Sequence, residues 1–257
     1  MSDSVKKTAA AKAKEGESFL DIVKTVVTVV VIVLGIRTFA FEPFNIPSGS
    51  MIPTLLIGDY VFVSKYSYGY SGYSLPFWHP HFGRIFAKLP ERGDVAVFKL
   101  PRDPSVDYIK RIVGLPGDKL QVIEGLLYIN DKPVARMRAE DFIDDENGTK
   151  VPVRQFLETL PNGVQHPILQ PYDNGQTDNT PVFEVPPDHV FGMGDNRDNS
   201  LDSRVPPERL GVGYIPVENL VGRAEFRFFS FDGNTPWWHV WEWPFAIRYS
   251  RLFTGVH

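Results

Sequence analysis

Two serines flank a glycine in residues 44–55, FNIPSGSMIPTL, and a proline stiffens each approach to them. A serine nucleophile needs an exposed hydroxyl on a fixed backbone, with a hydrogen-bond donor near the oxyanion that develops. Ser50 could supply the nucleophile, and the Ser48 hydroxyl could donate to the oxyanion. The segment differs from the Gly-x-Ser-x-Gly pattern because Ser48 takes the first glycine position. Taken alone, it is more typical of an ordinary Ser/Gly turn.

A base for that serine is available on a predicted strand, residues 107–114, DYIKRIVG. Side chains alternate between the two faces of a strand, so the pattern does not tell whether Lys110 or Arg111 points inward. Only the lysine can lose its proton, since arginine stays charged in proteins. Burial among apolar groups would have to lower the lysine pKa from about 10.4 to about 7–8. Taken alone, Lys110 is more typical of a strand surface.

An Asn- and Asp-rich loop, residues 192–204, GMGDNRDNSLDSR, is the third candidate segment. Its acidic residues suggest a calcium loop, but Arg197 occupies the third ligand position and Ser200 replaces the turn glycine, which excludes that interpretation. We predict a tight, self-bonded loop that presents Ser200 and contains an ion pair between Asp202 and Arg204. An ordinary turn-rich loop is the alternative.

Composition narrows the chemistry further. The chain of 257 residues has no cysteine, which excludes disulfides, thiolate zinc sites and a cysteine nucleophile. A net charge of -4 and the lack of a Lys/Arg block argue against nucleic-acid binding. A Ser-His hydrolase remains an alternative, although no histidine lies in a segment typical of a catalytic strand end. The six histidines are His79, His81, His166, His189, His239 and His257.

A strongly apolar stretch precedes the serine segment, with VVTVVVIVL at residues 26–34 as its centre. The run between Lys24 and Arg37 is shorter than the roughly 20 residues that span a bilayer, but both cations can snorkel toward the headgroups. We predict a transmembrane anchor over residues 19–41; a buried valine-rich element and a cleaved secretory signal are the alternatives. Lysines in a predicted disordered tail, residues 1–18, place the N-terminus in the cytoplasm and the rest of the chain outside it.

Beyond the anchor, short segments rich in β-branched and aromatic residues are bounded by Gly, Pro or Asp, which predicts strands. These segments are residues 60–63, 94–98, 108–113, 119–123, 126–129, 183–185 and 221–231. We predict a mostly β fold: an antiparallel β-barrel or folded-sheet catalytic domain. Its first part covers residues 42–135 and its second part residues 182–257, separated by a polar inserted cap region at residues 136–181.

Two aromatic segments, residues 66–78 and 237–245, are rich in tyrosine or tryptophan. Aromatic rings favour the headgroup region of a bilayer, where an apolar body and a polar tip are both accommodated. Gly and Pro around these rings argue against a packed core element. We therefore expect both segments to contact the membrane surface, with packing against the sheet as the alternative.

In this order and behind an N-terminal anchor, the segments together resemble the bacterial type I signal peptidase family of Ser/Lys endopeptidases. The resemblance rests on IPSGSMIPTL at residues 46–55, YIKRIVGLPGD at residues 108–118 and GDNRDNS at residues 194–200. It covers residues 41–65, 90–135 and 189–231. The chain departs from the family pattern after Arg204, where VPPERLGVG replaces an aromatic-Trp-Gly run.

The resemblance implies a role for each candidate residue. Ser50 is the nucleophile and Lys110 the general base. The Ser48 hydroxyl and the Ser50 amide form the oxyanion hole. Ser200 hydrogen-bonds and orients Lys110. Asp202 and Arg204 hold the loop of Ser200 in place.

The resemblance also implies a cleft that binds an extended substrate as an added strand. The implied walls and apolar pockets of this cleft are Phe44, Ile46, Pro47, Met51, Leu55, Asp107, Tyr108 and Ile109. Small pockets admit alanine-sized side chains at the first and third positions before the cut, the A-x-A pattern of signal peptides. The implied partners are preprotein signal peptides and the lipid bilayer, and the resemblance implies that no metal ion or organic cofactor is needed.

The implied location is the bacterial inner (plasma) membrane, where the protein acts as a single-pass monomer with an extracytoplasmic catalytic domain. Two other classes stay open. A soluble self-cleaving repressor is disfavoured by the apolar anchor and by the lack of a basic helix pair. A non-catalytic, membrane-tethered β domain that binds peptides would have no use for a Ser/Lys pair. Loss of turnover in Lys110→Ala would distinguish an enzyme from such a binder.

Overall fold

The computed structural model describes residues 2–75, 80, 83–144, 150–232, 239 and 241–256, and only the backbone of residues 2–18. Helix α1 covers Ser2–Phe39. Its first half is helical where a disordered tail was expected, because the Ala, Lys and Glu residues there have high helix propensity. Its second half, Phe19–Phe39, is long and apolar enough to cross a membrane, and its most apolar stretch of 18 residues has a mean hydropathy of 2.5 and no buried residue.

Antiparallel strands form most of the remaining structure, and each strand predicted from the sequence is present, which confirms the mostly β fold. In chain order the strands are β1 (Phe41–Asn45), β2 (Asp59–Ser64), β3 (Val95–Leu100), β4 (Asp103–Gly114), β5 (Lys119–Ile123), β6 (Leu126–Ile129), β7 (Lys132–Pro133), β8 (Ala135–Arg138), β9 (Phe142–Asp144), β10 (Val151–Val153), β11 (Gln155–Thr159), β12 (Gln165–Leu169), β13 (Phe183–Glu184), β14 (His189–Met193), β15 (Ile215–Pro216), β16 (Leu220–Ser230) and β17 (Thr254–Gly255). A second short helix, α2, covers Trp243–Ala246.

A central antiparallel sheet in the order β1-β2-β16-β3-β4-β14-β15 carries the candidate residues, and β17 pairs with β16. Within the described residues this order is an open path, so the folded-sheet alternative is confirmed and the barrel alternative is wrong. Register shifts along β16 and between β14 and β4 bend the sheet. Closure would also need a full edge strand at the far end, whereas β15 offers only two residues.

The chain leaves the central sheet after β4 and returns at β14. Between them, β13-β5-β6-β7 form one sheet, β12-β11-β8 form a second, and β9 pairs with β10. Residues 136–181, which the sequence sets apart as an inserted cap region, lie within this larger excursion. An apolar cluster that includes Leu120, Leu127 and Leu160 also contains Val113 and Phe191 of the central sheet, and so joins the excursion to it.

The second half of β4 is buried on both faces. Ile109 packs in the apolar cluster beneath β1 and β2, Ile112 in the cluster shared with β15, and Val113 in the cluster of the excursion. Because both faces are covered, the side chains of Lys110 and Arg111 are both buried, with 4% and 0% of their surface exposed. Strand alternation therefore could not distinguish them.

The aromatic segments divide between the surface and the interior. Tyr66 is exposed, and so are Trp241, Trp243 and Phe245 near the C-terminus, with 90% of Phe245 accessible. Tyr68 of the first segment is instead buried, so this part packs into the protein. Four further aromatic residues of the two segments lie outside the described residues: Phe77, Trp78, Trp237 and Trp238.

Candidate active site

The two candidate catalytic groups meet just after β1. Ser50 lies on a single 3-10 turn, Gly49–Met51, and the fully buried Met51 side chain anchors this turn in the core. The Lys110 Nζ lies 2.7 Å from the Ser50 Oγ. The Ser48 Oγ lies 3.5 Å from the same hydroxyl oxygen. The sheet thus brings together three polar groups from two of the segments that the sequence singled out.

Burial changes the acid–base chemistry of Lys110. Removal from water lowers its pKa from 10.5 to about 8, and Arg204 acts in the same direction. Asp202 and Asp195 act in the opposite direction, because a nearby carboxylate favours the ammonium form. A neutral amine in hydrogen-bond contact with a serine hydroxyl can accept the proton of that hydroxyl. The geometry therefore fits a nucleophile and its base.

Ser200 is buried in the same region, but its Oγ has no hydrogen-bond partner in the described part of the chain. The expected hydrogen bond from Ser200 to Lys110 is therefore not formed in this structure. A side chain at Gly194 would collide with the Ser200 Oγ and the Ser50 carbonyl oxygen. Glycine at this position lets the loop of residues 194–204, here called the site loop, approach the Ser50 turn.

The expected ion pair between Asp202 and Arg204 is present inside the site loop. Arg204 donates from Nε to one Asp202 carboxylate oxygen at 2.9 Å and from Nη2 to the other at 2.8 Å. The Gly194 amide also donates to Asp202, at 3.0 Å. Burial alone would raise the pKa of Asp202, but Arg204 and these hydrogen bonds outweigh it and lower the pKa. Asp202 is thus a fixed anion near Lys110.

Asn196 is a site residue to which the sequence analysis assigned no role. Its amide N–H donates to the Ser50 carbonyl oxygen at 3.1 Å, and its side-chain Nδ2 donates to the Gly49 carbonyl oxygen at 3.1 Å. These two bonds tie the nucleophile turn to the site loop. The sequence feature that could have indicated a role for Asn196 is its position within GDNRDNS, four residues before Ser200.

Arg111 and Asp195 form a second buried ion pair that the sequence analysis missed. Arg111 donates from Nε and Nη2 to the two Asp195 oxygens, both at 2.8 Å. Thr54, just beyond the Ser50 turn, donates to Asp195 at 2.5 Å. The pair therefore ties β4, the nucleophile turn and the site loop together. The sequence feature that could have indicated this pair is its position beside other site residues: Arg111 follows Lys110, and Asp195 precedes Asn196.

A cleft of about 630 Å³ opens beside Ser50. The residues expected to form its walls line it, together with the candidate catalytic groups: Phe44, Ile46, Pro47, Ser48, Ser50, Asp107, Tyr108, Ile109, Lys110 and Ser200. Met51 and Leu55, also expected there, do not line it. Both are fully buried in the core cluster that also contains Ile109, and so point away from the cleft. The excursion contributes Gln176 and Thr177.

Two strand edges next to the cleft are free to pair. Strand β1 pairs only with β2, so its other edge is open within the described residues. Strand β4 pairs with β3 along its length, but with β14 only from Arg111 to Gly114. Its first half therefore has an open edge beside Tyr108 and Ile109. An extended peptide could add to either edge through main-chain hydrogen bonds.

Among the residues that the structure describes, a histidine base would have to line the cleft. No histidine lines it, and His79, His81 and His257 lie outside the described residues. In the same part of the chain, no group of three or more His, Asp or Glu side chains is arranged to hold a metal ion. The arrangement at Ser50 therefore offers a lysine rather than a histidine as base.

Comparisons with known proteins agree over most of the chain. The profile of the family described as "Signal peptidase, peptidase S26" matches residues 19–229. Signal peptidase I of Rickettsia typhi is 44% identical over 249 residues, which covers 89% of this chain and 90% of the relative. Signal peptidase I of Rickettsia conorii is 43% identical over the same shares. A solved structure of signal peptidase I from Enterococcus faecalis matches 53% of this chain and 97% of its own, with 22% identity and a TM-score of 0.31.

The family profile and the Rickettsia relatives define the class of the protein: it is a serine endopeptidase, and the Ser50 hydroxyl lies beside its cleft. Its antiparallel sheet and single apolar N-terminal helix suit a membrane-bound member of that class. The family follows from the profile and from relatives that align over about nine-tenths of the chain. The chain belongs to the signal peptidase family, peptidase S26.

Proposed function

We propose that the protein removes signal peptides from preproteins, using Ser50 as nucleophile and Lys110 as general base. The single observation that carries this proposal is the 2.7 Å contact between the Ser50 hydroxyl and a buried lysine amine. The names of the relatives supply the substrate class, since both Rickettsia proteins are called signal peptidase I. The cleft and its two open strand edges suit an extended peptide.

The first half of the reaction forms an acyl-enzyme. The neutral Lys110 amine accepts the Ser50 proton while the Ser50 Oγ bonds to the scissile carbonyl carbon. The carbonyl electron pair moves to its oxygen, and the Ser50 amide and Ser48 hydroxyl donate to that oxyanion. The oxyanion then collapses, the C–N bond breaks, and the Lys110 ammonium returns the proton to the leaving amine. The mature protein departs, and the signal peptide stays esterified to Ser50.

The second half of the reaction frees the enzyme. Lys110, neutral again, takes a proton from a water molecule that attacks the ester carbonyl carbon. The same two donors stabilise the second oxyanion. The bond to the Ser50 Oγ breaks and the proton returns from Lys110 to that oxygen. The signal peptide leaves with a free C-terminal carboxyl group, and the enzyme returns to its starting state.

The walls of the cleft account for selectivity. Ile46, just after β1, and Ile109 of β4 present branched apolar side chains to the cleft, and both pack in one core cluster with the fully buried Met51 and Leu55. Little room is then left for a substrate side chain, which favours alanine at the first and third positions before the cut. Main-chain hydrogen bonds from the substrate to β1 and β4 supply affinity that does not depend on the substrate's side chains.

The remaining features set the location. Phe19–Phe39 supports a single span of the bacterial inner membrane. The lysines within residues 1–18 support a cytoplasmic N-terminus and an extracytoplasmic catalytic domain. The exposed rings of Trp241, Trp243 and Phe245 support contact with the headgroup region. A monomer is expected from the resemblance to the family.

Cleavage of a preprotein with an A-x-A site tests the proposal. The detergent-solubilised protein is expected to cut after the second alanine, as shown by mass spectrometry of both fragments. Leucine at that alanine should reduce kcat/KM roughly 100-fold or more, because the pocket has no space for it. Ser50→Ala should not cut, whereas the matched control Ser250→Ala, at an exposed serine near the C-terminus, should cut normally. Cutting by Ser50→Ala, or cutting at another peptide bond, would refute the proposal.

The rate should rise with pH through the pKa of Lys110. Only the neutral amine can accept the serine proton, and its pKa is about 8. At pH 6, therefore, about 1% of the enzyme is in the active form, and kcat/KM should climb roughly tenfold per pH unit up to pH 8. The measurement is the pH profile of kcat/KM on the A-x-A substrate. A profile that stays flat from pH 6 to pH 9 would exclude Lys110 as the base.

A further inference from the structure

Strand β12 of the excursion makes backbone contact with the site loop. The Leu169 amide donates to the Asp195 carbonyl oxygen at 2.8 Å, and the Leu169 carbonyl oxygen accepts from the Arg197 amide at 2.9 Å. These bonds form a parallel bridge between Leu169 and Asn196. Asn196 is the residue that holds the Ser50 turn. The excursion therefore touches the site loop at the point where this loop touches the nucleophile.

A buried ion pair reinforces that contact from β11. Arg197 of the site loop donates from both terminal nitrogens to the two Glu158 oxygens, at 2.8 Å and 2.6 Å. The side chains are 3% and 0% exposed. Burial alone would raise the pKa of Glu158, but Arg197 outweighs it and keeps this pKa lowered. Two parallel hydrogen bonds fix the guanidinium in one orientation.

His166 of β12 lies beside this pair without adding charge at neutral pH. Its Nε2 is 3.6 Å from a Glu158 oxygen and 3.9 Å from an Asp195 oxygen. Burial, followed by the neighbouring Arg111, lowers the pKa of His166 to about 4. Glu158 is therefore balanced at neutral pH by Arg197, the cation to which it is bonded.

Arg197 is connected in turn to the charges around Lys110. Its carbonyl oxygen accepts from Arg204 Nη2 at 2.6 Å, and Arg204 holds Asp202 by two hydrogen bonds. Asp202 and Arg204 are two of the three charges that act on the Lys110 amine; Asp195, bonded through its backbone to β12, is the third. A displacement of Arg197 would thus move the groups that surround Lys110.

We propose that Glu158 is a positioning residue of the active site: by fixing Arg197, it holds the site loop and its Asp202 carboxylate in place beside Lys110. Glu158 does not line the cleft, so its effect passes through Arg197. The inference rests on the proposed roles of Ser50 and Lys110. It also assigns part of the inserted cap region, residues 136–181, a task in catalysis.

The test compares the full-length wild-type enzyme with Glu158→Gln, which keeps the side-chain shape but loses the charge. Without the Glu158 carboxylate, the Arg197 guanidinium is free to attract the Asp202 carboxylate. Lys110 then loses part of its interaction with Asp202, an interaction that raises the Lys110 pKa. We expect kcat on the A-x-A substrate to fall roughly 100-fold, as for a catalytic group misplaced by about 1 Å, with KM little changed. The acid limb of the kcat/KM profile should also move to lower pH. Rates are expressed per folded molecule, from the amplitude of thermal unfolding.

Glu184→Gln is the matched control, because Glu184 lies in the same excursion and forms an exposed ion pair with Lys119 at 3.1 Å. Its kcat and pH profile should equal those of the wild type. If Glu158→Gln does not fold, Arg197→Lys, which keeps the charge but loses the two-point contact, is measured instead, with the same expected loss of kcat. An unchanged kcat and an unchanged acid limb, beside an inactive Ser50→Ala, would overturn this inference alone. An active Ser50→Ala would instead overturn the proposed function.

Discussion

Replacing Lys110 with methionine is expected to abolish cleavage and to stabilise the folded protein. Loss of the general base should lower kcat/KM roughly 10⁴-fold. The gain in stability follows from burial, which lowers the Lys110 pKa from 10.5 to about 8 and so penalises the charged amine. At pH 7 this shift corresponds to about 3 kcal/mol of lost folding free energy. Methionine fills a similar volume without a charge.

The pH dependence of the stability difference identifies its cause. Between pH 8 and pH 10.5 the unfolded wild type retains the lysine proton and the folded form does not, so wild-type stability should rise with pH across this window. The variant lacks this contribution, and its advantage should shrink toward pH 10.5. Thermal unfolding in detergent at pH 7 and pH 10 measures both. Lys119→Met, at an exposed lysine, is the control and should change neither activity nor stability. Lower stability of Lys110→Met at pH 7 would contradict the argument.

The local structure around Ser50 and Lys110 could be predicted from the sequence, because each residue lies in a short local pattern. Ser50 lies in a turn that the glycine and prolines beside it in the sequence indicate. Lys110 lies in a segment whose β-branched residues predict a strand. The contact between them depends on the sheet order β1-β2-β16-β3-β4, in which pairing joins strands far apart in the chain. No local pattern specifies such an order; the resemblance to a family supplied only the expectation that Ser50 and Lys110 act together.

Features that depend on direction or on distant partners were not predictable. Met51 and Leu55 were expected in the cleft, but both pack in the core, Met51 at the end of the 3-10 turn and Leu55 beyond it. The Arg197–Glu158 pair joins residues 39 positions apart, and its acidic partner lies in a segment with no recognisable pattern. Ser200 occupies the expected region, yet hydrogen bonding of a hydroxyl depends on tenths of an ångström that sequence does not encode.

Replacing Arg111 with methionine is expected to destabilise the protein by about 3–5 kcal/mol, the typical cost of removing one partner of a buried ion pair. Both side chains of the Arg111–Asp195 pair are 1% exposed. Burial alone raises the pKa of Asp195, and Arg111 is the main group that reverses this. Without Arg111, the carboxylate would be buried with no counter-charge at that position. Chemical unfolding at pH 7.5 measures the loss, with Arg209→Met at an exposed arginine as control.

Two further measurements separate the lost charge balance from lost packing. Without Arg111, the pKa of Asp195 in the folded protein should rise above its value in the unfolded chain. The folded state then takes up a proton more readily, so the stability lost in Arg111→Met should become smaller as the pH falls toward 5. Asp195→Leu added to Arg111→Met removes the uncompensated charge and should recover most of the stability, because apolar replacement of both partners is often neutral. A double variant as unstable as the sum of the two single variants would show packing to be the cause. Cleavage should stay impaired even when stability returns, because Asp195 is one of the charges acting on Lys110.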